Sequence, residues 1–317
     1  MAHHAIPDRT DVIVVGSMTA DVTTFSERVP ERGETILGDE FTLVLGGKGA
    51  NQAIAAGRAG APSHMVGCVG DDLFRDTVRA GLDAAGVGTD FVREVAGAGT
   101  GIAHIRVDAA GENDIVMVPR ANAELGEADI DRAFDALGAR CTVMLTQLET
   151  PHRLTRHAVR RAAEAGVTVV LDPAPAHPLD DDIWRHVDFV TPNETEAKLL
   201  TGIEVSGRDD AVAAGRWFTD RGAGCALVTL AGDGAVAVTA DDAVFFEPIR
   251  VEVVDTTAAG DAFAGCLAAG LAEGRDRDEA IRRAIAAGAL AVTKAGASPS
   301  IPARDEIDAV LGQGEAR

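Results

Sequence analysis

Residues 255–261, DTTAAGD, lead from an apolar, strand-like run into an alanine-rich helical pattern and end on a carboxylate. Small residues such as Ala258, Ala259 and Gly260 let successive backbone N–H groups converge on one point. The N-terminal end of the following helix adds positive potential, so an anion can be held with no basic side chain. Asp261 would stand beside that anion. A carboxylate there can take the proton of an attacking hydroxyl while the backbone stabilises charge on a transferring phosphoryl group. The same Asp261 also reads as an ordinary helix cap after a Gly-containing turn.

Five further stretches carry donors and acceptors suited to such chemistry. In GGKGAN (46–51) the glycines, Gly47 among them, allow close backbone approach, and Lys48 and Asn51 offer donors to hydroxyl groups; a plain hinge is the alternative. The stretch lacks the GxxxxGK[ST] frame of a Walker A loop, and no GxGxxG follows a strand-like run, which disfavours a dinucleotide-dependent oxidoreductase. Asp21, on the loop expected after the first strand, could accept from vicinal hydroxyls opposite Lys48 and Asn51, and Glu149 follows a later strand. In TPNETE (191–196) Asn193 is a good N-cap and the acidic first turn suits a helix start. As hard oxygen donors, Asn193 and Glu196 could instead hold Mg²⁺ through water beside nucleotide phosphates. Residues 229–234, with Thr229, Gly232 and Gly234, form a Gly-bearing turn able to accept phosphate or ribose.

Positioning these residues requires a particular scaffold. Apolar runs at 12–15, 64–69, 142–148, 167–171, 187–191 and 226–230 alternate with helical patterns from 51 and near 151–165, 194–201 and 208–221. That rhythm predicts a doubly wound α/β fold with a mostly parallel sheet covered on both faces. Residues 35–45 and 101–118 look like strands with no helix between them. They predict a small β-sheet lid, spanning about 20–46 and 99–121, over the carboxyl edge where open α/β sheets bind ligands. The whole chain, 1–317, is expected to be a single domain, ending in two Ala-rich helices within 260–296.

Composition narrows the function classes. With 29 Lys and Arg against 50 Asp and Glu, the net charge of −21 makes nucleic acid or an anionic membrane an unsuitable partner. Lys48, Lys198 and Lys294 are the three lysines, so a lysine between glycines invites a specific explanation. No apolar run reaches the roughly 20 residues needed to span a bilayer. MAHHAIPDRT lacks the apolar core of a secretory signal and reads as a short tail, giving the expectation of a soluble, cytoplasmic protein. Cys68, Cys141, Cys225 and Cys266 are widely spaced in apolar segments and read as buried thiols.

In order along the chain, GSMTAD (16–21), GGKGANQA (46–53), QLETP (147–151), DPAPA (172–176), TPNETEA (191–197), DTTAAGDAF (255–263) and GASPSIP (296–302) resemble the ribokinase (PfkB) family of carbohydrate kinases from about residue 11 to 311. The resemblance implies Asp261 as catalytic base and the 258–261 backbone as an anion hole. It also implies sugar contacts from Thr19, Asp21, Gly47, Lys48, Asn51 and Glu149, a Mg²⁺- and phosphate-linked pair in Asn193 and Glu196, and nucleotide contacts from Thr229, Gly232 and Gly234. Asp255, Thr257 and Ser300 fall where the family holds a monovalent cation, usually K⁺; from the residues alone they are loop positions. A homodimer through the lid is implied as well.

The expected activity is therefore ATP-dependent phosphorylation of the primary hydroxyl, O5, of D-ribose. The alternatives are a kinase of 2-deoxyribose, of a hexose such as fructose, or of a nucleoside, and a sugar-binding regulator without catalysis. Three positions depart from the family's commoner pattern: Ala258 stands where Gly is usual, Thr19 where Asn is usual, and Arg120, at the lid, where Gly is usual. Arg120 reads either as a solvated surface arginine or as a group reaching a larger or anionic sugar substituent.

Overall fold

The structure, a computed structural model, describes residues 10–314, so most of the stretch read as a tail lies outside the described residues. Strand β1 (Asp11–Val15) leads into an antiparallel excursion, β2 (Thr19–Phe25) and β3 (Glu40–Gly46), and α1 (Lys48–Ala59) returns the chain to β4 (Ser63–Gly70). After α2 (Leu73–Ala84) and β5 (Gly88–Val95) comes a second excursion, β6 (Gly101–Val107) and β7 (Asn113–Val118), closed by a 3₁₀ turn at Arg120–Glu124. The chain continues through α3 (Glu127–Leu137), β8 (Cys141–Thr146), α4 (His152–Glu164), β9 (Thr168–Leu171), β10 (Phe189–Val190), α5 (Glu194–Thr201), α6 (Arg208–Thr219) and β11 (Cys225–Thr229). Strands β12 (Ala235–Val238) and β13 (Ala243–Phe246) precede α7 (Ala259–Ala272), α8 (Arg277–Ala291) and α9 (Arg304–Gly314).

Among the described residues the main sheet has the order β13-β12-β11-β10-β9-β8-β1-β4-β5, parallel except where β12 runs antiparallel to both of its neighbours. Every residue of β1 is buried, as a strand covered on both faces must be. Alternate side chains divide between two cores. Val12 and Val14 pack with α1, α7 and α8, whereas Ile13 and Val15 pack with α3 and α4. The alanine-rich composition of α1 and α7 lets them approach closely: a Cβ on Gly265 would lie 2.5 Å from the Gln52 carbonyl oxygen. All four cysteines are buried, which pushes the thiols of Cys68, Cys225 and Cys266 up to about 12. No helix among the described residues is long and apolar enough to cross a membrane.

The small sheet has the order β3-β2-β6-β7, with β2 and β6 parallel at its centre. Its composition corrects the sequence reading. Thr19 and Asp21 lie on β2, a strand that the sequence reading placed in a loop, and the stretch expected as a strand from 35 begins at Glu40. Polar residues disguise β2, because TADVTTF presents threonines where an apolar alternation would have marked a strand; pairing on both sides supplies the order that the pattern lacks. β7 is an edge strand with Ile115, Val116 and Val118 all exposed.

Candidate active site

The site lies at the carboxyl edge of the main sheet, where β1, β8, β9, β10 and β11 end and where α1 and α7 begin. Asp261, in the first turn of α7, is buried, and its Oδ2 accepts from Asn51 Nδ2 at 2.9 Å. The N–H groups of Gly260 and Asp261 have no partner four residues back, as at every helix start, and a Cβ on Gly260 would meet open space. Ala258 caps this helix at φ +60°, a left-handed conformation in which an alanine is strained. Ala259 already donates its N–H to the Thr256 carbonyl.

Around Asp261 the structure gathers most of the residues expected to meet a sugar. Thr19 Oγ1 donates to Asp21 Oδ1 at 2.7 Å, and Asp21 is accommodated by Gly46, where a Cβ would stand 2.0 Å from Asp21 Oδ2. Burial pushes the Asp21 carboxyl up to about 6; the Thr19 bond opposes this, while Glu149 and Asp261 add repulsion. Glu149 Oε2 accepts from Ser17 Oγ and from the Lys48 backbone N–H at 3.0 Å. Its carboxyl is raised mainly by burial, against the pull of Lys48. Gly47 caps α1 at φ +89°, a backbone shape that a side chain there would strain. Burial alone would depress the Lys48 ammonium. The field of Asp261, Asp172, Glu149 and Glu196 outweighs it and holds the group above its ordinary value. The other two lysines form surface ion pairs with Glu204 and Glu306, so Lys48 alone of the three stands in the site. Asn51 Oδ1 is buried without a hydrogen-bond partner, an acceptor awaiting a donor.

Asn193 and Glu196 form the helix cap that the sequence allowed: Asn193 Oδ1 accepts from the Glu196 N–H at 2.8 Å, and Glu196 Oε2 from the Asn193 N–H at 2.9 Å. Capping does not remove Glu196 from the site's field, since burial raises its carboxyl while Lys48 and Asp261 act on it in opposite senses. Asn193 also bridges Thr229 at the end of β11, which joins these two expected contacts. Gly232 faces open space, whereas Gly234, at φ +94°, sits against the Phe246 carbonyl, where a Cβ would be 2.1 Å from the oxygen; its glycine has a packing reason.

Asp255 lies apart from this cluster. Its Oδ1 accepts from Thr257 N and Oγ1 at 2.9 and 2.6 Å and its Oδ2 from Gly296 N at 2.8 Å, bonds that hold the carboxyl below its ordinary value against the effect of burial. Ser300, fully buried, donates to the Ala297 carbonyl. Arg120 is exposed, as the reading of a surface arginine had it. Its guanidinium folds onto Gly99, occupying the place of a Cβ there, with Nη1 3.6 Å from Asp72 Oδ2, so it is engaged at the root of the small sheet.

Sequence reasoning passed over four residues. Gln52 and Asp172 are buried beside Asp261, Gly46 makes room for Asp21, and Asn122 joins the roots of the small sheet. A signal existed for two of them. Gln52 is a polar residue opening an otherwise alanine-rich helix, and Asp172 follows a strand at the same edge as Glu149.

Residues 9–304 match the pfkB family carbohydrate kinases. The chain belongs to that family. It is an ATP-dependent sugar kinase. A ribokinase of Haemophilus influenzae is 39% identical over 298 residues, covering 94% of this chain and 97% of that relative. A deoxyribokinase of Salmonella typhi is 37% identical over 306 residues, covering 96% and 100%. Among solved structures, that of Arabidopsis thaliana ribokinase complexed with ribose and ATP superposes with a TM-score of 0.88 at 31% identity, covering 95% of this chain and 98% of that one.

Proposed function

We propose that this pfkB-family kinase transfers the γ-phosphoryl group of ATP to O5 of D-ribose, with Asp261 as general base. The observation that carries the reading is the buried Asp261 at the start of α7, joined to Asn51 and surrounded by Asp21, Lys48 and Glu149. Asp261 accepts the proton of the hydroxyl as its oxygen attacks the γ-phosphorus, and the bond to the β-phosphate oxygen breaks, so ADP leaves with the electron pair. The base contributes about 10²- to 10⁴-fold, and the open N–H groups at the α7 start stabilise charge on the transferring group. Asp21, Asn51 and Glu149, with Thr19, Gly47 and Lys48 beside them, bind the sugar; Thr229, Gly232, Gly234 and Asn193 meet the nucleotide. The protonated Lys48 offsets the carboxylates that would otherwise repel ATP.

The donor sets fit two ions. Among the described residues no three His, Cys, Asp or Glu gather as ligands. Mg²⁺ would therefore be carried by phosphates and water, with Glu196 and Asn193 as outer contacts, and would supply charge neutralisation on the phosphates. The ionised Asp255 with Thr257 suits a monovalent cation such as K⁺, with Ser300 on the adjoining loop. The whole chain acts as one cytoplasmic unit, and the small sheet is its lid, excluding water when sugar is bound.

Phosphorylation of 2-deoxyribose is the second reading, favoured by the 37% identity to a deoxyribokinase. A panel of ribose, 2-deoxyribose, fructose and nucleosides scored by kcat/KM decides between them. Asp261→Asn should nearly abolish turnover while sugar still binds; turnover within about threefold of the unsubstituted enzyme rejects the role of Asp261.

A further inference from the structure

We infer that Gln52 is a positioning residue for Asp261, fixing that carboxylate beside the sugar hydroxyl, and that Gln147 and Asp172 in turn fix Gln52. The inference rests on Asp261 being the base. Gln52 is fully buried in α1. Its Nε2 donates to Asp261 Oδ1 at 2.9 Å and to Asp172 Oδ2 at 2.7 Å, while its Oε1 accepts from Gln147 Nε2 at 2.5 Å. Both amide hydrogens thus meet carboxylates and the amide oxygen meets a donor. Turning the amide over would set its oxygen against the Asp261 carboxylate and its nitrogen against the Gln147 NH₂ group, so one orientation is favoured.

That orientation is transmitted to Asp261. Gln52 holds Oδ1 and Asn51 holds Oδ2, so rotation of the carboxylate breaks one bond or the other. The two amides differ in kind. Asn51 keeps a buried oxygen with no partner in the protein, whereas both ends of the Gln52 amide are bonded to protein groups, so Gln52 acts through Asp261. The close packing of α1 on α7 at Gly265 puts Gln52 within reach. Gln147 and Asp172, from the ends of β8 and β9, anchor it to the rigid sheet. Burial also pushes the Asp172 carboxyl up to about 8 despite the nearby Lys48.

The test uses the full chain and two substitutions of similar volume. Gln52→Met should lower kcat by about 10- to 100-fold, the cost of a displaced catalytic group, with KM for sugar and ATP within about threefold. Gln147→Met should cost less, and the double variant should be no slower than Gln52→Met alone, because both act on one chain of contacts. A kcat for Gln52→Met within about threefold of the unsubstituted enzyme, or losses that multiply in the double variant, overturns the inference. If Gln52→Met does not fold, Asp172→Asn, which retains an acceptor for Gln52, should turn over about tenfold faster than Asp172→Leu, and equal losses overturn the inference. Asp261→Asn, measured alongside, separates the failures. An active Asp261→Asn removes the base and this inference together; an inactive one beside a fast Gln52→Met removes this inference alone.

Discussion

Asn122 holds the backbone of Met18 through both ends of its side-chain amide: Met18 N–H donates to Asn122 Oδ1 at 3.0 Å, and Asn122 Nδ2 donates to the Met18 carbonyl at 2.8 Å. Met18 precedes β2 and Asn122 follows β7, so one buried side chain ties the entrance of the small sheet to its exit. Asn122→Ala leaves two buried backbone groups unpaired, at a cost of about 1–3 kcal/mol. A lid with loosened roots closes less completely. The sugar KM should rise about tenfold and sugar-independent ATP hydrolysis should increase. Steady-state kinetics with and without sugar check both; values equal to those of the unsubstituted enzyme would show that the clasp does not govern closure.

Gly46 and Asp21 make a tighter pair. A Cβ at position 46 would be 2.0 Å from Asp21 Oδ2 and 2.2 Å from its Cγ, so Gly46→Ala must drive the carboxylate away from Thr19. The displaced group is a side chain, so the fold should survive. Calorimetric titration should show sugar affinity reduced by about tenfold or more, the loss of a charge-assisted hydrogen bond, with ATP affinity unchanged. Equal losses for both ligands would count against Asp21 as a sugar contact.

The carboxyl edge was legible because parallel strands buried on both faces announce themselves as apolar runs, and Asp261, Glu149 and Asn193 each follow such a run or open the next helix. β2 was hidden because its threonines and Asp21 are ordered by pairing on both sides, which no local pattern records. Gln52, Gln147 and Asp172 come from three segments and acquire meaning only when the sheet brings their ends together. Arg120 is exposed, as one of its readings had it, but its contacts with Gly99, before β6, and Asp72, at the start of α2, join distant segments that no local pattern records.

Ala258 holds φ +60° with no glycine to ease it. Ala258→Gly relieves a left-handed strain of about 1 kcal/mol, partly offset by the greater freedom of glycine in the unfolded chain. Tm should rise by about 1–3 °C with kcat within about threefold, since the backbone N–H groups keep their directions. Calorimetry and turnover check this, and a lower Tm would mean that the turn owes its shape to the alanine methyl.

β7 exposes Ile115, Val116 and Val118 on a free sheet edge, and on β3, at the other edge, Phe41 is exposed. Such edges invite pairing, and the homodimer that the family resemblance implies would cover them. Sedimentation should give a dimer for the unsubstituted chain and a shift toward monomer for Val116→Lys, with thermal stability little changed because the position is exposed. A monomeric unsubstituted chain would rule that pairing out.

Asp172 ties the site to the stability of the fold. Burial, more than any neighbouring charge, pushes its carboxyl up from the ordinary 3.8 to about 8 in the folded protein. Between those values the folded state binds a proton that the unfolded state has released, so stability falls as pH rises through the interval. Asp172→Asn cannot ionise and retains an acceptor for Gln52. It should therefore unfold at higher urea concentration than the unsubstituted chain, by an advantage that grows by about 1–3 kcal/mol between about pH 5 and pH 8.5, a figure reduced for the compensating Lys48. Asp21, raised to about 6, adds a smaller slope of the same sign below that pH in both proteins and cancels in the comparison. An advantage independent of pH would mean that Asp172 is ionised throughout, held so by Lys48 despite its burial.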